Sequence, residues 1–275
     1  MANTPDLTLP ITAYRLSGDD LAQVGKAKNV LVQQCMKGLG FSNFKPAAAQ
    51  LTSTSSADLH ELDDLRYGTY DAKQATKNGY KPDFASSGRN VFADPPAEPE
   101  RTDEEWLALT GTTKAPSDGQ QSSRGKAKLK NGLVAPENGC LGISAVKLSG
   151  GQQVVPEIVQ RLNGESYRKS MKDPRVAKAF DQWSACMRTK GYSYTDPMQA
   201  NDDPRFSSAS ASEAEIATAK ADVTCKAQAD VIAIWHSAEV DIQNKLIKEN
   251  QESLTEVEKN KKALLVSAAA TLSKS

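Results

Sequence analysis

Apolar residues recur at helical spacing along most of the chain, and no run of alternating β-branched residues stands out. The first helix is predicted over residues 17–40, where Leu21, Val24 and Leu31 lie on one face. Gly40 is expected to end it, because glycine adopts the backbone conformation that closes helices. The pattern therefore predicts an all-α fold.

The same spacing continues through residues 155–192. Pro156 suits the first turn of a helix, where its missing N–H group costs nothing. Asp173 followed by Pro174 marks the start of another helix, which we expect to end at Gly191.

The last helical segment is predicted over residues 212–272. Ser212 and Glu215 have the spacing of a capping box, and no proline or glycine follows. An unbroken helix of this length would extend roughly 90 Å at 1.5 Å per residue. We therefore expect either a projecting helix or a hairpin that turns back within the polar stretch 249–253.

A loop-rich excursion is predicted over residues 42–136, between the first helix and a main helical part at 139–275. Short helices are expected at 58–65 and 71–77, and after a capping box formed by Thr102 and Glu105. The chain as a whole, residues 1–275, is interpreted as a single helical domain.

One sequence motif occurs twice. Residues 35–46 and 186–197 share Cys, Met, Gly, Ser and Pro at matching positions. Each copy reads as the end of a helix that carries a cysteine in its last turns. The flanking segments differ, so the repeat does not indicate two equal domains.

The cysteine count is even, which favours two disulfides and an oxidising compartment. Three pairings are possible. Because Cys35 and Cys186 occupy equivalent repeat positions, the repeat favours Cys35–Cys140 and Cys186–Cys225. The expected fold is thus an irregular, disulfide-stapled helical bundle with a long C-terminal helix or helical hairpin. Four free thiols in a cytosolic protein are the alternative.

Charge and ligand spacing exclude several classes of partner. The formal net charge is zero, with 34 basic and 34 acidic residues, so no nucleic-acid partner is expected. His60 and His236 are the only histidines, and no Cys-x-x-Cys pair exists, so neither a metal nor a cofactor is predicted. No stretch reaches the ~18 apolar residues of a membrane span.

No catalytic motif is recognisable in the sequence. The Gly-x-Ser-x-Gly element of serine hydrolases is missing, as are glycine-rich phosphate loops. Adjacent carboxylates such as Asp63 and Asp64 lie beside helix starts or in polar loops, where capping or solvation explains them. The chain is therefore expected not to be an enzyme.

Aromatic residues near the second cysteine motif are the candidate binding residues. They and nearby polar side chains could line a ligand groove between helices. The candidates are Trp183, Tyr192, Tyr194, Trp235, Arg161 and Tyr167. Core packing is the alternative, because aromatic rings at helical spacing are usually buried.

Several motifs together resemble a family. They are the two Cys-Met-[Lys/Arg]-x-x-Gly-[Phe/Tyr] helix ends, Arg66-Tyr67-Gly68, Gly139-Cys140, Asp173-Pro174-Arg175, Trp183-Ser184-x-Cys186-Met187 and Asp222-Val223-x-Cys225. This pattern, spanning most of residues 17–260, resembles uncharacterised secreted lipoproteins of actinomycetes. The resemblance implies a removed signal peptide and a lipidated cysteine upstream of Ala2. It implies no catalytic residue.

The sequence leaves three functional hypotheses. The first is a non-enzymatic lipoprotein-like protein outside the cytoplasm, secreted or anchored on the outer face of the cytoplasmic membrane only through its lipid. It would bind a small molecule or an envelope protein. The second is a cell-envelope enzyme acting on a wall polymer or peptide. The third is a structural spacer or interaction protein that uses the C-terminal helix.

Overall fold

A computed structural model describes residues 6–46, 65–81, 100–112, 127–152 and 154–274. The predicted helix at 58–65 lies outside these residues except for its last position, and His60 also lies outside them. Much of the predicted excursion 42–136 is likewise not described.

Within the described ranges the chain forms ten α-helices, so the all-α prediction is confirmed. They are α1 Gly18–Gly38, α2 Ala72–Asn78, α3 Asp103–Thr110, α4 Gly139–Ser149, α5 Glu157–Ser170, α6 Pro174–Thr189, α7 Pro197–Asn201, α8 Glu213–Gln228, α9 Val231–Glu249 and α10 Gln251–Leu272. Two 3-10 turns, Pro10–Tyr14 and Pro204–Phe206, accompany them. The described β-structure is one antiparallel pair, β1 Ala127–Lys128 and β2 Val134–Ala135.

Helix starts follow the predicted capping residues, with one correction to the capping boxes. The Ser212 hydroxyl accepts from the Glu215 amide at 3.2 Å, but the Glu215 carboxylate accepts from the backbone of Tyr80 instead of closing the box. Likewise, Glu105 pairs with Arg101 at 3.1 Å. Both boxes are therefore only half formed, because their acidic side chains have partners elsewhere.

The segment 212–272 is three helices rather than one. The first break lies at Asp230, which has a φ of 50° and separates α8 from α9. Aspartate is one of the few residues with a side chain that tolerates this left-handed conformation. The second break lies at Asn250, inside the stretch 249–253 where a break was predicted. The amide of Asn250 donates to the Leu246 carbonyl, and the amide of Leu254 donates to the Asn250 carbonyl, so helical hydrogen bonds continue on both sides of it.

The chain divides into two compact units. The first unit comprises the described residues within 1–13, 57–93 and 158–254, and the second comprises those within 14–56, 94–157 and 255–275. Each unit has its own hydrophobic core and its own disulfide. The single-domain interpretation stays a prediction.

The core of the first unit forms where α6, α8 and α9 pack together, with α2 against α8. Trp183 on α6 and Trp235 on α9 are its largest buried side chains. The Cys186–Cys225 disulfide joins α6 to α8 beside this core. It is one of the two bridges that the repeat favours.

The second unit is built around α1, α3 and α4, with the C-terminal part of α10 packing on α1 and α4 through Leu264 and Ala268. The Cys35–Cys140 disulfide joins α1 to α4. Gly139 precedes this bridge with a φ of 59°, and a Cβ there would come within 2.3 Å of the Leu109 carbonyl oxygen. Only glycine therefore lets α3 approach the start of α4 this closely.

No helix in the described part of the chain combines the length and apolarity needed to span a membrane.

Candidate functional site

Both tryptophans proposed as ligand anchors are fully buried in the first unit. The rings of Tyr67, Tyr167 and Phe180 surround Trp235, with centroid distances of 5.1, 5.6 and 5.0 Å. The indole N–H of Trp235 donates to the Ser170 hydroxyl at 2.8 Å. Trp235 thus serves as a core residue whose polar atom is already satisfied.

Trp183 is tied to a buried ion pair. Its indole N–H donates to Asp222 at 2.8 Å, and the other carboxylate oxygen of Asp222 accepts from Lys226 at 2.9 Å. Lys226 also donates to the carbonyl oxygen of Thr69 at 2.8 Å. Neither tryptophan ring exposes a face to solvent in this structure. Contact of either ring with a ligand stays a prediction.

Burial controls the ionisation of the groups around Asp222. Desolvation raises the pKa of Asp222, and the neighbouring Lys226, Trp183 and Tyr80 oppose that rise by favouring the carboxylate. Burial also raises the pKa of Tyr80, with the Asp222 charge adding to the rise. Asp222 and Lys226 thus form an ion pair inside a packed core. None of the described grooves includes Asp222.

A second buried carboxylate, Glu239, organises the other side of this core. It accepts hydrogen bonds from Arg66 Nε at 3.0 Å, the Tyr67 hydroxyl at 2.9 Å and the Ser166 hydroxyl at 2.7 Å. Arg66 also pairs with it through Nη2. Desolvation, reinforced by Glu239, raises the pKa of Tyr67.

The third buried carboxylate is Glu215. It accepts from the Tyr80 amide at 3.1 Å and lies 3.5 Å from Lys81 Nζ. Gly79, with a φ of 60°, permits this approach, since a Cβ there would lie 2.9 Å from the Glu215 side chain. The short segment 65–81 is therefore bound to α8 and α9 by buried acidic and basic groups.

Sequence reasoning missed these carboxylates, although a signal for them existed. Glu239 lies four residues after Trp235 and is thus on the same helix face as a core residue. Asp222 lies three residues after Ala219 and three before Cys225, both of which are buried on the same helix. An acid at a core position of a helix indicates a buried partner, but the sequence does not reveal which cation supplies it.

Two of the predicted binding residues, Tyr192 and Tyr194, form a half-exposed pair after α6. Their rings are nearly parallel, at 19°, with centroids 6.5 Å apart. The Tyr194 hydroxyl donates to Asp203 at 2.7 Å and accepts from Arg205 Nη2 at 2.8 Å. We refer to Tyr192, Tyr194, Asp203 and Arg205 as the tyrosine–arginine surface.

Ionisation of this surface is shifted away from neutral pH. Partial burial and the hydrogen bond to Asp203 raise the pKa of Tyr194 to about 12. Hydrogen bonds from Arg205 and Tyr194 hold the pKa of Asp203 below its usual range. At neutral pH the tyrosine is therefore neutral, and the aspartate and arginine charges balance each other.

The remaining predicted residues separate from this pair. Tyr167 stacks on Trp235, beneath the Arg66 guanidinium at 5.0 Å from the ring centroid. Arg161 instead contacts Glu165 and Asn250 at the surface. The six predicted residues thus include two ring pairs, Tyr167–Trp235 and Tyr192–Tyr194, and a ligand groove lined by all six stays a prediction.

A shallow groove of about 470 Å³ lies between α6 and α9 in the first unit. Its polar lining includes Arg175, Lys178, Gln182 and Asp230, and it contains none of the predicted binding residues. Arg175 is already bonded to Asp173 and Asp241.

In the described ranges, no group of three His, Cys, Asp or Glu side chains is arranged to hold a metal ion. His236 lies 3.3 Å from the carbonyl oxygen of Thr8. The large aliphatic side chains exposed in these ranges all belong to the second unit. They are Leu133, Val134, Ile143, Val146, Val154, Val155 and Val266.

Alkaline titration of the tyrosines checks this electrostatic arrangement. Raised pKa values of Tyr67, Tyr80 and Tyr194 mean that the folded protein binds more protons than the unfolded chain above pH ~10. We expect ultraviolet absorbance to report fewer ionised tyrosines at pH 11 in the native protein than in guanidinium. Stability should fall as pH rises through this range, and identical native and denatured titration curves would contradict the burial of these hydroxyls.

No protein-family model, curated protein or solved structure matches this chain.

Proposed function

We propose that the protein is a non-enzymatic binding protein of the cell envelope that works outside the cytoplasm. The observation that carries the proposal is the tyrosine–arginine surface, where two half-exposed aromatic rings are held parallel beside a paired guanidinium. Aromatic and arginine side chains held rigidly at a surface are the groups that most often supply binding energy.

The cellular location is supported by the disulfides. One bridge lies within each unit, and such bridges persist in oxidising compartments. We further propose that the precursor carries a signal peptide and a lipidated cysteine, as the resemblance to secreted lipoproteins implies.

The three buried carboxylates are explained by structure rather than by catalysis. Asp222, Glu239 and Glu215 are buried and face a cationic side chain each, which matches a structural role. A catalytic carboxylate would need to reach a substrate. The enzyme and spacer hypotheses stay predictions, and the spacer hypothesis requires self-association in sedimentation experiments.

Co-sedimentation with envelope fragments from actinomycete cells tests the proposal. We expect the oxidised protein to be retained on the fragments and Tyr192→Ala to reduce retention about tenfold, since removal of a ring forfeits about 1.4 kcal/mol. Lys178→Ala, on the separate α6–α9 groove, is the matched control and should bind normally. Equal retention of wild type and Tyr192→Ala would refute a binding role for this surface.

A further inference from the structure

The tyrosine–arginine surface has a fixed geometry before any ligand arrives. Tyr192 and Tyr194 are two residues apart in the chain, and their rings lie nearly parallel, at 19°, with centroids 6.5 Å apart. The Tyr192 amide donates to the Met187 carbonyl at 3.0 Å, and the Ser184 hydroxyl donates to the Tyr194 carbonyl at 2.6 Å. Both tyrosines are thereby fastened to the end of α6.

The nearby disulfide and side-chain bonds add to this rigidity. Cys186, on the same helix end, is bonded to Cys225 of α8. Asp203 fixes the hydroxyl end of the Tyr194 ring, and Arg205 holds Asp203 in turn at 2.6 Å. Pre-organised rings lose little conformational freedom when a ligand binds, which favours affinity.

Unused hydrogen-bonding groups border the rings. The Tyr192 hydroxyl and Arg205 Nη1 make no hydrogen bond within the described residues, and the Arg205 side chain is 71% exposed. The hydroxyl can donate or accept, whereas the guanidinium only donates. A ligand that contacts the half-exposed rings would therefore need groups at its edge that both donate and accept.

Charge restricts the ligand further. The Asp203 carboxylate neutralises Arg205, and its oxygens also accept from the Tyr194 hydroxyl and the Arg205 amide. The surface thus has no uncompensated cation to select an anionic ligand. Neutral ligands are favoured.

We infer that the tyrosine–arginine surface binds a neutral saccharide, an inference that rests on the proposed binding function. A pyranose ring presents C–H groups on its face and hydroxyls on its edge. The negative face of a tyrosine ring attracts polarised C–H groups, as it attracts the edge of another aromatic ring. The edge hydroxyls can both donate to and accept from Tyr192 and can accept from Arg205.

A proline-rich peptide also stacks on tyrosine pairs, but it is the weaker fit. Its backbone offers carbonyl acceptors at proline positions and no donor there. It would leave the acceptor capacity of the Tyr192 hydroxyl unused. A saccharide hydroxyl uses both capacities.

Isothermal titration calorimetry of the oxidised protein with N-acetylglucosamine tetramer tests the inference. We expect a dissociation constant of about 0.1–1 mM, as suits a small exposed contact. Tyr192→Ala should weaken binding about tenfold, and Tyr194→Phe, which keeps the ring but loses its anchoring bonds, about threefold. Lys178→Ala should bind like the wild type, and a thermal melt of each variant checks its fold.

The outcomes separate the inference from the proposed function. If the tetramer does not bind but envelope retention still depends on Tyr192, the saccharide inference is refuted and the proposed binding function is retained. Binding of a proline-rich decapeptide in place of the tetramer would overturn it in the same way. Tetramer binding that Tyr192→Ala does not weaken would show that the saccharide binds outside this surface, and it would refute the inference. Retention independent of Tyr192 would instead refute the proposed function.

Discussion

Replacing Lys226 with methionine is expected to lower the free energy of unfolding by about 3–5 kcal/mol, because Asp222 would remain buried without its cation. Both side chains are essentially inaccessible to solvent, at 1% and 0% exposed, and they are joined at 2.9 Å. Urea denaturation followed by circular dichroism measures the loss.

A double variant separates the ion pair from simple packing. Removing both charges, as in Asp222→Leu with Lys226→Met, should recover most of the stability that Lys226→Met loses. A loss of about 1–3 kcal/mol relative to the wild type should remain, because the Trp183 N–H loses its acceptor. Lys259→Met is the matched control. Its pair with Glu256 is exposed, so we expect a change within about 0.5 kcal/mol. Losses that simply add in the double variant would contradict coupling between the two charges.

Removal of the disulfides should destabilise the protein by amounts that follow loop length. Replacing Cys35 and Cys140 by alanine opens a loop with a sequence separation of 105, whereas the Cys186–Cys225 loop has a separation of 39. The chain-entropy relation gives losses of about 5 and about 4 kcal/mol respectively. Thermal and denaturant unfolding of the two double-alanine variants should reproduce that order.

The wild-type protein with and without a reductant provides the comparison for these variants. Reduction should lower the melting temperature below that of either variant, because it opens both loops. An unchanged melting temperature after complete reduction, verified by thiol counting, would refute the stabilising role of the bridges.

Local signals in the sequence predicted much of the helical framework. Gly40 and Gly191 follow the ends of α1 and α6, where the chain needs a positive φ of 93° and 86°. The Asp173–Pro174 start also lies where it was expected. These features depend only on neighbouring residues, which is why one sequence suffices to predict them.

The bridges Cys35–Cys140 and Cys186–Cys225 could be predicted from the sequence for a different reason. The two copies of the helix-end motif place Cys35 and Cys186 equivalently, so each was expected to pair with the next cysteine along the chain. A repeat thus supplied long-range information that residue spacing alone does not contain.

Two kinds of feature were not predicted: a helix break at a residue that is neither proline nor glycine, and contacts between residues that are far apart in the chain. The break at Asp230 carries no proline or glycine, so the segment read as continuous. The contacts of Glu239 with Arg66 and of Glu215 with Tyr80 join residues 173 and 135 positions apart. Only the folded chain brings these groups together, and the sequence gives no register between segment 65–81 and the helices that bind it.

Each unit is assembled from three stretches that alternate along the chain, yet each disulfide joins consecutive cysteines. Counted from the N-terminus, Cys35 and Cys140 come before Cys186, and Cys225 comes last. An oxidase that joins cysteines in their order of appearance therefore produces the native bridges directly, without isomerisation of a wrong pair. The bridges can thus form in sequence while the first unit still awaits α9, whose Glu239 binds Arg66.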